Sequence, residues 1–179
     1  GDVFPSFAWP SAAGGHVTPA DIEGWRLIVI YRGKHCPLCK QYLAELEKLK
    51  DEFGAAGIAV WALSADPVER AQEDAMAHGW TFPLLAGLGE EQMRQLGLYM
   101  SAPRSPGETD HNFAEPAVFV INPENRVQIV DLSNAPFARP DLRPPQHRIR
   151  VHHVHSYPRL GPFQCQATAR WLAAALADA

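Results

Sequence analysis

Cysteine is scarce in this chain, with three among 179 residues. An odd count, in a chain long enough to bury about 70% of the surface it exposes when unfolded, argues against a disulfide-stapled scaffold. Neither a bridge nor a metal is needed for folding, and the reading is a reducing compartment and a cytoplasmic protein. Long apolar runs are also missing. The longest, IAVWAL and WLAAALA, fall far short of the roughly 20 residues of a membrane-spanning helix, so no membrane partner is expected. Positive charge is not in excess: 16 Lys and Arg against 20 Asp and Glu give a net charge of −4, which offers nothing to nucleic acid. The opening GDVFPSFAWPSAAGG has neither the basic start nor the apolar stretch of a signal peptide, and it begins without Met. Repeats and low-complexity tracts are absent. The expectation is a single domain over residues 1–179, with an atypical Pro, Arg and His-rich extension from about residue 135.

What the sequence does contain is an alternation of strand and helix signals. After a loop or short hairpin through residue 25, with at most one helical turn at TPADIEG, the run RLIVIYR places five apolar residues in a row, as in a strand buried on both faces. PLCKQYLAELEKLKDEFGAAG follows, with Leu38, Tyr42, Leu46, Leu49 and Phe53 at steps of three and four between Pro37 and Gly54. This predicts a helix. IAVWALSA predicts a second buried strand, DPVERAQEDAMAHG a helix capped by Asp66, and TFPLLAG a short strand. Strand, helix, strand, helix, strand implies right-handed crossovers and a parallel sheet core, an α/β fold. A short helix at EEQMRQLGLYM and an antiparallel hairpin of PAVFVIN and RVQIVDLS through PEN complete the pattern. The final CQATARWLAAALADA reads as a closing helix.

The chemistry centres on GKHCPLC. Cys36 falls at the mouth of the first helix, with Pro37 in its first turn. Unpaired amides and the helix dipole there favour a thiolate, lowering a free thiol pKa of about 8.5 toward neutrality. Lys34, His35 and Lys40 are expected to act in the same direction. Cys39 lies one turn on, on the same face and within disulfide reach, so that an exposed nucleophile and a shielded resolving thiol are expected. Two other uses remain open at this point: cysteines that only pack, and half of a copper or zinc site completed by histidine, although no second CxxC exists.

Taken together, GDVFPSF, LIVIYRGKHCPLCKQYLAEL, LSADP, FPLLAG and EPAVFVINPENRV resemble the alkyl hydroperoxide reductase/thiol-specific antioxidant (AhpC/TSA) family, in its peroxiredoxin-like branch of the thioredoxin superfamily. The likeness runs from Gly1 to about Asn134. It implies a thioredoxin-like fold with a mixed central sheet flanked by helices, and an antioxidant thiol-disulfide oxidoreductase acting through Cys36 and Cys39. The implied partners are a peroxide, or a protein or small-molecule disulfide, and a reductant of thioredoxin or glutathione type. No cofactor is implied. Pro116 would be a cis-proline facing the cysteines, freeing the backbone of Glu115 to pair with a substrate chain. In the family pattern PxxxTxxC, aligned on Cys39, Arg32 stands at the Pro and Cys36 at the Thr, while Pro116 stands where an Arg is usual. Thioredoxins carry a buried Asp where this chain has Ile30, a role for which Glu115 is the candidate.

Tyr31, His35 and Pro37 flank the cysteines as supporting residues, and Arg139 in FARP is placed to steady a thiolate. Cys165 is a candidate distant resolving thiol. His147, His153 and His155, with Cys165, are candidate metal ligands, and the basic segment that holds the histidines is a candidate homodimer contact.

Overall fold

The computed structural model describes residues 1–142. The closing helix, His147, His153, His155 and Cys165 lie outside them. In chain order the elements are β1 (Trp9–Pro10), β2 (His16–Val17), β3 (Trp25–Ile30), α1 (Pro37–Ala55), β4 (Ile58–Leu63), α2 (Val68–His78), β5 (Leu84–Leu85) and α3 (Glu90–Gln95). Then come β6 (Met100–Ser101), β7 (Phe113–Ala114), β8 (Ala117–Ile121) and β9 (Val127–Leu132). A single 3-10 turn at Pro19–Asp21 precedes β3.

Five strands form the central sheet in the order β5-β4-β3-β8-β9. β3, β4 and β5 run parallel, joined by the helical crossovers that the alternation predicted. β8 runs antiparallel to β3, and β9 antiparallel to β8. The sheet is therefore mixed. Its central strand is buried at nearly every position, side chains of both faces included, which is why β3 reads as an apolar run. Ile28, Ile30, Trp61, Leu63, Phe119 and Ile121 meet Phe4 and Trp9 in the main core. Arg26 of β3 is fully buried and donates to the carbonyls of Pro19 and Asn122.

The buried stripe of α1 is Cys39, Leu43, Leu46 and Phe53; Leu46 and Phe53 were expected there, whereas Leu38, Tyr42 and Leu49 are not fully buried. A cysteine takes the first inward slot, which turns Leu38 outward at 41% exposure. Asp66 does not cap α2 either. Pro67 is the N-cap, and the Asp66 carboxylate is drawn away to the loop before α1.

Register decides what meets at the sheet end. Ile30 pairs with Leu63 on one side and with Ala117 on the other. The chain leaving β3 as Tyr31-Arg32 is therefore flanked by Ser64 to Asp66 after β4 and by Glu115-Pro116 before β8. This is the carboxyl end of the parallel strands, where open α/β sheets form their crevices.

Candidate active site

The turn into α1 is held by a glycine and a carboxylate. Gly33 has φ +128°, and a Cβ there would come within 2.6 Å of Asp66 Oδ2. The close approach lets the Lys34 amide donate to Asp66 at 2.7 Å. Ser64 Oγ donates to the same carboxylate at 3.4 Å, and His111 Nε2 stands 3.4 Å from Oδ1. Cys36 then takes extended backbone angles as the N-cap of α1, with Pro37 at the first helical position, as the sequence predicted. The Cys36 sulfur accepts the amide hydrogen of Cys39 at 3.3 Å.

Both cysteines are reduced, and both are buried, Cys36 at 2% exposure and Cys39 at 0%. The exposed nucleophile expected from sequence is absent because the segment after β9 folds over the helix mouth. There Ser133 Oγ donates to the Ala135 carbonyl, Tyr42 Oη donates to the Pro140 carbonyl, and Arg139 Nε donates to the Pro136 carbonyl. The Arg139 guanidinium lies over the Tyr42 ring and brings Nη2 to 3.0 Å from the Cys39 sulfur and 3.8 Å from that of Cys36. The Arg32 amide reaches the Cys39 sulfur at 3.4 Å.

The two thiols diverge in acidity. A hydrogen bond from the Cys39 thiol is the largest influence on Cys36, and with the Cys39 amide, Arg139 and Arg32 it outweighs burial and lowers the pKa to about 6. Burial dominates at Cys39 and pushes its thiol up strongly; the hydrogen bond to Cys36 and its charge add to the effect, and Arg139 offsets only part of it. Of the cations expected to act here, Arg139 does and the lysines do not. Lys34 pairs with Glu73, and Lys40 stands 3.6 Å from Asp74, both on α2. Burial, with Arg32, lowers the His35 pKa and favours the neutral ring.

Arg32 forms the opposite wall. Its guanidinium lies 4.5 Å over the Phe113 ring, 3.3 Å from Glu108 Oε1 and 3.5 Å from Glu115 Oε1. The His35 ring packs on the same Phe113, with centroids 4.6 Å apart. Glu115 is buried and accepts from Ser101 Oγ at 2.7 Å. Its charge is thus matched by Arg32.

The cis-proline expectation fails. No peptide bond among the described residues is cis, and Pro116 follows Glu115 in the trans form that X-Pro bonds favour by about 0.5–1 kcal/mol. In that form the Pro116 carbonyl accepts from Ser133 and continues the β8–β9 ladder. The Glu115 amide donates to Tyr99 at 2.8 Å, so it is not free to pair with a substrate strand.

Sequence reasoning placed Tyr31, His35, Cys36, Pro37, Cys39 and Arg139 around one helix mouth, and the fold brings them there. It missed Asp66 as the clamp of the loop, Tyr42 as the platform for Arg139, and Arg32 as a paired wall. The Arg-Gly and Ser-Ala-Asp sequences at the ends of two adjacent parallel strands were the available signal. As for a metal, no group of three or more His, Cys, Asp or Glu among the described residues is arranged to hold one.

"Putative peroxiredoxin Rv2521" of Mycobacterium tuberculosis is 34% identical over 100 residues, covering 55% of this chain and 64% of that protein. "Peroxiredoxin Bcp" of Escherichia coli is 29% identical over 100 residues, with 55% and 64% covered. The chain thus spans less than two thirds of these relatives. Among solved structures, a peroxiredoxin 6 of Arenicola marina superposes with a TM-score of 0.67 at 23% identity, over 78% of this chain and 67% of that one. BcpB of M. tuberculosis gives a TM-score of 0.63 at 20% identity, over 73% and 83%. These likenesses establish an α/β thioredoxin-like fold. The family model described as the AhpC/TSA family matches residues 1–130, and the chain belongs to that family.

Proposed function

We propose that the protein is a dithiol peroxidase: the Cys36 thiolate attacks a peroxide oxygen, and Cys39 then closes a Cys36–Cys39 disulfide. The observation that carries this reading is the placing of the two sulfurs. Cys36 caps α1 with its sulfur accepting the Cys39 amide, and Arg139 Nη2 stands 3.8 Å from the Cys36 sulfur and 3.0 Å from that of Cys39. This arrangement lowers the Cys36 pKa while burial raises that of Cys39. In the first step an S–O bond forms as the O–O bond breaks. The departing oxygen takes a proton, and Cys36 is left as a sulfenic acid. In the second step the Cys39 thiolate attacks the Cys36 sulfur and displaces hydroxide, which is protonated to water. A thiol reductant of thioredoxin or glutathione class returns the two electrons. Peroxidase chemistry is also what the relatives' names describe, and a reducing, cytoplasmic setting suits it.

Arg139 faces both sulfurs and opposes the negative charge carried by each in turn. Tyr31, Pro37 and His35 shape the helix mouth, and Glu115 and Pro116 hold Arg32 and the start of β8 beside it. A peroxide is favoured over a folded protein's disulfide, because both sulfurs are buried beneath residues 133–140.

The test is stopped-flow oxidation of the reduced protein by hydrogen peroxide, with mass mapping of the product. The expected product is the Cys36–Cys39 disulfide, and Cys36→Ser should abolish turnover. Full turnover by Cys36→Ser in both peroxide and disulfide assays would overturn the reading.

A further inference from the structure

After each turnover the site holds a Cys36–Cys39 disulfide that must be reduced, and the arginine beside it has then lost its counter-charge. Arg32, Arg70, Arg94 and Arg104 each pair with a carboxylate. Arg139 does not. Its guanidinium meets the Pro136 carbonyl, the Tyr42 ring and the two sulfurs, and among the described residues no carboxylate joins them. Nη1 is buried and has no hydrogen-bond partner.

In the reduced protein the Cys36 thiolate balances this charge. A disulfide carries none, and a buried cation without a partner is costly. Oxidation therefore leaves Arg139 as an anion receptor with two open arms, Nη2 toward the sulfurs and Nη1 next to it. A guanidinium presents its donors in a fixed planar fork that suits carboxylates. Any reductant has also to get in. Both sulfurs are buried, and residues 133–140 are tied over them by the Tyr42 hydroxyl on the Pro140 carbonyl and by Arg139 on that of Pro136. A protein thiol brings its own backbone with it and must lift this cover, and Arg139 with the cover. A small thiol need not. Cys36, followed by the exposed Pro37 and Leu38, is the sulfur it meets first.

We infer that the electrons come from a low-molecular-weight thiol that carries a carboxylate, and that Arg139 recognises it. The carboxylate accepts from Nη1 while the small thiolate attacks the Cys36 sulfur. The Cys36–Cys39 bond breaks, its electron pair leaves on Cys39, whose sulfur lies 3.0 Å from Nη2, and a proton from solvent follows. A mixed disulfide is left on Cys36. A second small thiolate attacks the outer sulfur of that mixed disulfide, releases the small disulfide and leaves Cys36 as the thiolate. Two small thiols are thus oxidised for each protein disulfide reduced, and Arg139 regains its counter-charge.

The inference rests on the dithiol reading and narrows its reductant, so its test starts from a disulfide made without peroxide. Cys165→Ser protein is oxidised with diamide, and its reduction is followed by acid quench and mass analysis. The thiols are glutathione and 3-mercaptopropionate, which carry carboxylates, the neutral 2-mercaptoethanol and the cationic cysteamine. Each rate is divided by the same thiol's rate on bis(2-hydroxyethyl) disulfide, which removes differences in intrinsic nucleophilicity. On that scale the two acids should outpace 2-mercaptoethanol about 10-fold, and cysteamine should rank last. Added salt should shrink the advantage, Arg139→Ala should abolish it, and Arg139→Lys should keep part of it. A merely structural change in the cover would instead move all four thiols alike. Equal scaled rates in the parent would overturn the inference, as would an acid preference that survives in Arg139→Ala, or a thioredoxin that outpaces glutathione on the same scale. If Arg139→Ala fails to fold, the parent's salt dependence decides, since a preference unmoved by salt does not come from charge. No internal disulfide in the parent would sink both readings; an acid-selective disulfide in a protein that ignores hydrogen peroxide would sink the peroxidase reading alone.

Discussion

At the scale of single residues, the acidity of Cys36 is a property of its neighbours rather than of its sequence position alone. The helix mouth was legible in Cys36-Pro37, because a proline in the first turn marks a helix start. The cations were legible in part: Arg139 was a candidate to steady the thiolate and reaches both sulfurs from a hundred residues away, whereas the lysines beside the motif turn to carboxylates on α2. Thiolate is the reacting form, so alkylation of reduced protein by iodoacetamide should fall as pH drops through about 6 at Cys36. In Arg139→Ala that midpoint should move upward, and Arg139→Lys should restore it incompletely, since a lysine loses the planar fork held on Tyr42. A midpoint unmoved in Arg139→Ala would mean that the arginine does not set the thiol's charge. The burial of Asp74 was invisible in AQEDAMAHG, where an acidic residue in a polar helix reads as solvated.

At the scale of elements, the strands and helices were readable because their hydrophobic periods are unambiguous and each break carries Gly, Pro or Asp. The misreadings were local. The stripe of α1 is shifted in its first two turns, where Cys39 and Leu43 rather than Leu38 and Tyr42 point inward, and the Asp66 cap was wrong because a tertiary contact prevails over a local one. The loop between β3 and α1 depends on that contact. Gly33→Ala would force a side chain onto Asp66 at a φ of +128°. It should destabilise the fold by about 1–3 kcal/mol in urea titration and loosen the turn that presents Cys36. An unchanged unfolding midpoint would show that the loop adapts at no cost.

At the scale of the molecule, register gathers the site. Pairing of Ile30 with Leu63 and with Ala117 sets three chain segments side by side at one sheet end, and the residues after β9 fold across them. That cover could not be read in advance, because FARP carries no periodic pattern. A site closed this way should sort oxidants by bulk: hydrogen peroxide first, an aromatic hydroperoxide such as cumene hydroperoxide more slowly, and insulin disulfides last, measured as second-order rate constants on reduced protein. Equal rates for all three would mean that the cover offers no barrier. The arginine beside the sulfurs rides on the cover itself rather than on the sheet beneath it. Admission and reactivity are therefore not separate variables in this protein. A guest large enough to lift residues 133–140 also carries off the positive charge that makes the thiol worth reaching, so entry by force meets a weaker nucleophile, and the site turns away bulk twice.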